Sequence, residues 1–180
     1  YSCGVYSADE RVKALYRTHP SLLNDIETRL SLTLRDRTGR FVPKALAEVI
    51  FRDSGALALV EELFFPALMD DFSTWCQGHA MDRFVVFESA TVMEKPQFKD
   101  FGDIRILVDA PFETRLARAV ARDSSDREDV LARMKSQPLM NDISNGRAVA
   151  DAYAVILNDG SYEDLVRKVD DMMNVIYNNR

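Results

Sequence analysis

Short β-branched apolar runs alternate along the chain with longer stretches in which apolar residues recur every three or four positions. Gly4-Val5-Tyr6-Ser7, Phe84-Val85-Val86-Phe87, the run Ile104, Ile106, Leu107 and Val108, and Ala154 to Leu157 read as short strands. The run ending at Val108 has the continuous apolar character of a central parallel strand covered on both faces. Between the runs the period is helical. Ser7 with Glu10 three residues later is a capping-box signal and predicts a helix starting there, with Asp9 in its first turn. His19-Pro20 interrupts it, and Leu22, Leu23, Ile26 and Leu30 predict a second helix. Pro43 opens a third through Phe51, with Leu46, Val49 and Ile50 inward. A fourth begins at Ser54 or Gly55 and carries Leu57, Val60, Leu63, Phe64, Ala67, Leu68, Phe72 and Trp75, with Pro66 predicting a kink or a break. Beyond Pro111, Leu116 and Val120 share one face of a further helix; Ser125 and Glu128 signal another; Ser161 begins the last, with Leu165, Val169, Met172, Met173 and Ile176 inward. Strands alternating with helices predict an α/β fold with a parallel, doubly wound sheet.

The connections are polar. "RDRTGR", Arg35 to Arg40, reads as a solvated turn whose arginines could also meet phosphate, residues 138–149 as a mobile flap, and Asn158-Asp159-Gly160 as a turn. At 180 residues the simplest expectation is one domain. Net charge, 23 − 29 = −6, argues against a duplex nucleic-acid binder but leaves room for a local basic pocket. Two cysteines, Cys3 and Cys76, and two histidines, His19 and His79, stand in no metal-ligand spacing, so neither a zinc site nor a disulfide framework is expected. No apolar run approaches the roughly 20 residues that cross a bilayer. A cytoplasmic protein off the membrane is the expectation, with the oligomeric state left open. The sequence opens on Tyr1 and enters a strand almost at once, as expected where a native N-terminal segment precedes it.

Candidate chemistry gathers where strands end. Arg115, Arg118 and Arg122 are spaced three and four apart on the helix after Asp109, which aligns their guanidinium groups along one side. Such a row at the carboxyl end of a parallel strand lies where open α/β sheets bind ligands, although a solvated basic face has the same pattern. Asp9 follows a strand and could accept a proton from a bound hydroxyl; a helix dipole favours the same residue for purely structural reasons. Glu88, directly after the second strand, is a candidate for substrate or metal contact, although capping of the following turn would call for the same residue; Glu94 lies in the irregular segment beyond it.

"FVVFESATVMEKPQF", "VDAPFETRLARAVARDSSDREDVLARMKSQ" and "AVILNDGSYEDLVRKV" together resemble the dephospho-CoA kinase family, of the P-loop nucleoside-monophosphate-kinase-like proteins. The R-x-x-x-R-D, R-E-x-V-x-x-R-x-x-x-Q and I-x-N-x-G segments come in that family's order, and the likeness runs from about Gly4 to Val169. The resemblance implies a three-layer doubly wound parallel sheet of the P-loop kinase type, with a small helical substrate-binding region and a helical lid. Within one kinase-like domain, the core would be about 1–17, 80–122 and 150–180, the helical substrate region about 20–79, and the lid and flap about 123–149. It further implies ATP and Mg²⁺ as cofactors, dephospho-CoA as partner, and transfer of phosphate to its 3′-hydroxyl, the final step of coenzyme A synthesis. By position in the motifs, Asp9 would be the general base and Arg118, Arg122 and Arg127 the lid arginines around the ATP phosphates. Gln137 would end the lid helix, Asn158 would lie near the adenine, and Glu94 would match a family glutamate and contact the substrate. No protein residue is assigned as a metal ligand.

The sequence departs from the family at several places, among them Ser7 where the family's D-A-D has its first aspartate, and a longer lid-to-strand connection that leaves the family's Ala-Asp at Ala150-Asp151 or Ala152-Tyr153. G-x-x-x-x-G-K-[ST] occurs nowhere in the 180 residues, which predicts that this stretch alone is inactive. Phe65-Pro66 stands where the family has His-Pro, and Pro43 where an arginine is expected. Two other readings follow: a P-loop kinase for a nucleoside, a nucleotide or another small alcohol, and a degenerate kinase-like binding module without catalysis.

Overall fold

Parallel pairing organises the strands. The computed structural model describes residues 3–124, 126–135 and 152–178. Strand β1 (Gly4–Ser7) runs into helix α1 (Ala8–Thr18), followed by α2 (Pro20–Leu30), α3 (Pro43–Arg52), α4 (Ser54–Gln77) and strand β2 (Val85–Glu88). Two single-turn 3₁₀ segments, Val92–Glu94 and Pro96–Phe98, lead to β3 (Ile106–Asp109), α5 (Phe112–Asp123), α6 (Arg127–Lys135), β4 (Ala154–Leu157) and α7 (Tyr162–Asn178). β1 pairs with β2 and β3 with β4, both parallel, in two separate two-stranded sheets among the described residues. The chain resolves into two compact units, 1–90 and 91–180.

In the first unit the register sets Gly4 beside Val85, Tyr6 beside Phe87 and Ser7 beside Glu88. Side chains alternate across a strand, so Tyr6 and Phe87 share one face and Val5 and Val86 the other. The Tyr6 face is covered by α4: its ring meets Phe72 at 5.0 Å and Trp75 at 5.4 Å, edge-on, and stacks on Phe87 at 5.3 Å. Ala56, Val60, Phe64 and Leu68 of α4 are buried, as are Leu15, Leu22, Leu23, Ile26 and Leu46 of the other helices. In the second unit Leu116, Val130 and Met134 form the cluster that joins α5 to α6.

Local signals placed most helix ends well. Pro20 and Pro43 open α2 and α3, where a missing N–H costs nothing. Asp53 caps α4 by accepting the N–H groups of Gly55 at 2.8 Å and Ala56 at 3.1 Å. The turn after α2 is tied down: Ser31 takes the left-handed conformation, Glu27 accepts the Leu34 N–H at 2.7 Å, and Arg35 donates to Asn24 at 2.5 Å. Asp36 closes the rest of that turn on Thr38 and Arg40.

Three expectations are corrected. Of the kink or break expected at Pro66, the break does not occur: α4 is continuous through it, because burial of Phe64 and Leu68 on either side holds the helix where the missing N–H removes one bond. The Ser7–Glu10 capping box does not form: Ser7 is the N-cap residue of α1 but makes no side-chain cap bond. Its hydroxyl donates instead to Glu88 Oε2 at 2.9 Å, brought there by the strand register. The strand pairs are covered only in part: in β3–β4 Leu107 and Ile156 are buried whereas Val108 and Val155 are 55% and 54% exposed, and in β1–β2 Val5 and Val86 are 60% and 39% exposed. Described helices cover only part of each strand pair. Ser125, the second capping-box serine, and the 138–149 flap lie outside the described residues.

Gly4 is buried where the chain starts β1. Its N–H donates to Asp82 Oδ2 at 2.9 Å, and the same oxygen meets His79 Nδ1 at 2.8 Å. A Cβ at Gly4 would fall 2.6 Å from His79 Nδ1 and 2.7 Å from the Trp75 ring. Gly4→Ala is therefore expected to destabilise the protein by about 1–3 kcal/mol, the usual range for overpacking. Denaturant titration checks this; an unchanged midpoint would show that the ring pair yields without cost.

Candidate functional site

The first unit builds an acidic edge. Parallel strands end on the same side, so the carboxyl ends of β1 and β2 deliver Ser7, Asp9, Glu88 and the Ala90 N–H to one place. Asp9 is the second residue of α1, and its carboxylate accepts the Ala90 N–H. Its side chain stays open to solvent, yet neighbouring protein atoms strip part of its hydration. That desolvation, first, and the Glu88 charge, second, raise its pKa above the ordinary aspartate value. Lys13 and the Ala90 N–H oppose the rise without cancelling it. The result is a carboxylate more basic than usual at a strand-to-helix junction, the property wanted in a proton acceptor.

Behind this junction stands a second acid with the opposite disposition. Asp71 of α4 accepts the Tyr6 hydroxyl at 2.6 Å and a two-pronged contact from Arg11, Nε at 2.7 Å and the terminal nitrogen at 2.5 Å. The Arg11 hydrogen bond holds the Asp71 carboxyl below its ordinary range, and burial raises the Tyr6 hydroxyl. Sequence reading did not find Asp71, because a contact between positions 60 and 65 apart leaves no periodic signal.

The second unit builds a cationic edge. The Asn158 N–H donates to the Asp109 carbonyl at 2.6 Å, extending the β3–β4 ladder by one residue. Arg118 donates to the Asn158 carbonyl at 3.0 Å, so two predicted nucleotide contacts meet. Lys168 of α7, which sequence reading missed, donates to the Leu157 carbonyl at 2.6 Å and to Asp159 at 2.7 Å beside the same turn. Its only signal in the sequence was a lysine on the polar side of the last helix.

The arginine row divides. Arg115 turns back to its own strand, donating to the Ala110 carbonyl at 2.9 Å and lying 3.7 Å from Asp109. Arg118 and Arg122 stay exposed, as does Arg127, which pairs with Glu113 at 3.3 Å. Arg122 pairs with Asp123 at 2.7 Å. Exposed pairs of this kind are worth about 0–1 kcal/mol, so an incoming phosphate could take either arginine at little cost. Glu88 lies exposed at the acidic edge, whereas Glu94 sits in the first 3₁₀ turn of the other unit. Gln137 lies outside the described residues. Among the described residues no group of three or more His, Cys, Asp or Glu is arranged to hold a metal ion.

Together these features define a parallel-stranded α/β protein with its polar chemistry at strand carboxyl ends. Solved structures share that fold: TT1252 from Thermus thermophilus aligns with a TM-score of 0.75 at 23% identity, covering 96% of this chain and 84% of that one. Dephospho-CoA kinase from Campylobacter jejuni aligns with a TM-score of 0.61 at 23% identity, covering 99% of this chain and 88% of that one. The chain belongs to the dephospho-CoA kinase family, whose model matches residues 1–164. The dephospho-CoA kinase of Aquifex aeolicus is 28% identical over 165 residues, 92% of this chain and 81% of that protein.

Because the Glu88 charge raises the Asp9 pKa, Glu88→Gln is expected to move the Asp9 titration down toward the ordinary aspartate value. Carboxyl-detected NMR across an acid titration measures it. No movement, or an upward one, would show that the two charges do not communicate.

Proposed function

We propose that the protein transfers the γ-phosphoryl group of ATP to the 3′-hydroxyl of dephospho-CoA, giving coenzyme A and ADP, the last step of coenzyme A synthesis. The observation that carries this reading is the family match across residues 1–164. The geometry supports it with a basic carboxylate at one strand edge and exposed guanidinium groups at another.

In this reading Asp9 accepts the 3′-hydroxyl proton as the hydroxyl oxygen attacks the γ-phosphorus and the bond to ADP breaks. Phosphoryl transfer needs little covalent help, so positioning and charge stabilisation dominate. Arg118, Arg122 and Arg127 contact phosphate oxygens, a task suited to planar, permanently charged forks. Gln137 and Asn158 complete the nucleotide side, with the Asn158 carbonyl already held by Arg118. Glu88 and Glu94 serve the acceptor, and the helices within 20–79 receive its pantetheine end. ATP with Mg²⁺ supplies the transferable group and the charge neutralisation.

The reading extends to a single kinase-like domain with a complete three-layer P-loop sheet, a lid over about 123–149, and a cytoplasmic setting. No described helix is long and apolar enough to cross a membrane. Since no G-x-x-x-x-G-K-[ST] occurs in the 180 residues, the stretch alone is expected to give no turnover.

The test is direct. Full-length protein with ATP, Mg²⁺ and dephospho-CoA should yield coenzyme A and ADP by coupled assay; no turnover with a phosphate loop demonstrably present refutes the reading. Asp9→Asn is expected to lower kcat by about 10²–10⁴-fold, the worth of a positioned general base, with ATP affinity nearly unchanged. Equal losses in both would remove Asp9 from the role.

A further inference from the structure

We infer that Asp71 is a positioning residue for catalysis: from α4 it fixes the backbone on both sides of Asp9 and so sets where the base points. The inference rests on the reading of Asp9 as the base. Tyr6 lies three residues before Asp9 and Arg11 two residues after it, one in β1 and the other in α1. One Asp71 carboxylate grips both, taking the Tyr6 hydroxyl at 2.6 Å and the Arg11 Nε at 2.7 Å on Oδ2, and the Arg11 terminal nitrogen on Oδ1. Asp71 therefore spans the junction on which Asp9 sits.

Each grip is stiff. Tyr6 is 1% exposed and wedged among Phe72, Trp75 and Phe87, so its ring has nowhere else to go. Arg11 lies with its guanidinium carbon 5.6 Å from the Tyr6 ring centroid, so the two partners of Asp71 also hold each other. The two-pronged Arg–carboxylate contact fixes orientation as well as distance.

The junction needs an outside anchor. Ser7 occupies the N-cap position of α1 but makes no side-chain cap bond, its hydroxyl being committed to Glu88. The first turn of α1, which carries Asp9, thus lacks the local device that usually fixes a helix start. Asp71 supplies the restraint through tertiary contact. It also belongs to α4, within the helical region assigned to the acceptor, so one side chain joins the acceptor-side helix to the base. Misplacing a catalytic group by about 1 Å can cost on the order of 100-fold in rate.

The experiment is a double-mutant cycle in the full-length enzyme, read by single-turnover rate, the KM values for ATP and dephospho-CoA, and melting temperature. Asp71→Asn keeps the volume but gives up the charge and one acceptor oxygen. It is expected to slow the chemical step by about 10- to 100-fold with the KM for ATP nearly unchanged. In an Asp9→Asn background the same substitution should change the rate less than twofold, because there is no longer a base to misplace. Tyr6→Phe, which keeps the ring packing and removes only the hydroxyl, should show the same dependence at smaller amplitude, and it serves if Asp71→Asn does not fold. If Asp9→Asn slows the reaction but the Asp71 and Tyr6 effects are absent, or multiply independently with it, Asp71 is merely structural and the base assignment stands. If Asp9→Asn leaves the rate intact, both the base and the positioning role fall.

Discussion

The parallel pairing of β1 with β2 is the constraint from which the rest of the first unit follows. Two strands that run the same way end at the same side, and a parallel return requires a long crossover. Here α1 to α4 make that crossover. With Ser7 opposite Glu88, residues 81 positions apart become hydrogen-bond partners, and the Ala90 N–H comes within reach of Asp9. The β3–β4 pair repeats the logic in the second unit: Asp109 lies opposite Leu157, and the next residue, Asn158, bonds back to Asp109 and is held in turn by Arg118. In both units the chemistry is a consequence of where strands stop.

Charge is local in this protein. A net −6 chain would repel a polyanion on average, but screening at physiological salt confines exposed charges to about 8 Å, so what an anionic ligand meets is set by its neighbourhood. Around Asn158 that neighbourhood holds Arg118 and Lys168, both of which donate to main-chain carbonyls at the β4 turn. Arg115 looks equivalent by spacing, yet it serves the Asp109–Ala110 strand end. A helical repeat tells which residues share a side but not which of them fold back onto their own backbone.

Legibility in the sequence divides along the same line. Prolines, apolar periodicity and strand runs placed the elements to within a residue or two, because those signals are local and the structure obeys them. Local rules lost wherever a distant partner offered more. The Ser7 hydroxyl went to Glu88 rather than to the helix it caps, and α4 kept going through Pro66 because its flanks are packed. Asp9 and Glu88 were legible as strand-end acids, but their mutual influence was not, since nothing in the order of residues gives the register of β1 against β2. The Tyr6–Asp71–Arg11 set was wholly illegible. Arg11 reads as one more polar residue of an amphipathic helix, and Asp71 as one of two acids in "MDDF".

Asp9 and Asp71 show why composition alone could not assign roles. Both are carboxylates of ordinary chemistry, and their surroundings push them in opposite directions. Arg11 and the Tyr6 hydroxyl both stabilise the ionised form of Asp71, outweighing its partial burial, so its proton is lost early and stays lost. Such a group is a poor proton acceptor and a good structural anchor. Among the described residues no comparable cation binds Asp9; lost hydration and the nearby Glu88 make its charge costlier, and Lys13 compensates only in part. Because its proton is held more tightly in the folded chain than in the unfolded one, ionised Asp9 subtracts from stability as pH rises past the unfolded value. The Asp71–Arg11–Tyr6 contacts, whose contribution is present at neutral pH and lost only on acidification through the lowered Asp71 pKa, offset that cost at the same junction. Separating two like groups in this way is how a single fold keeps one acid as scaffold and another as base.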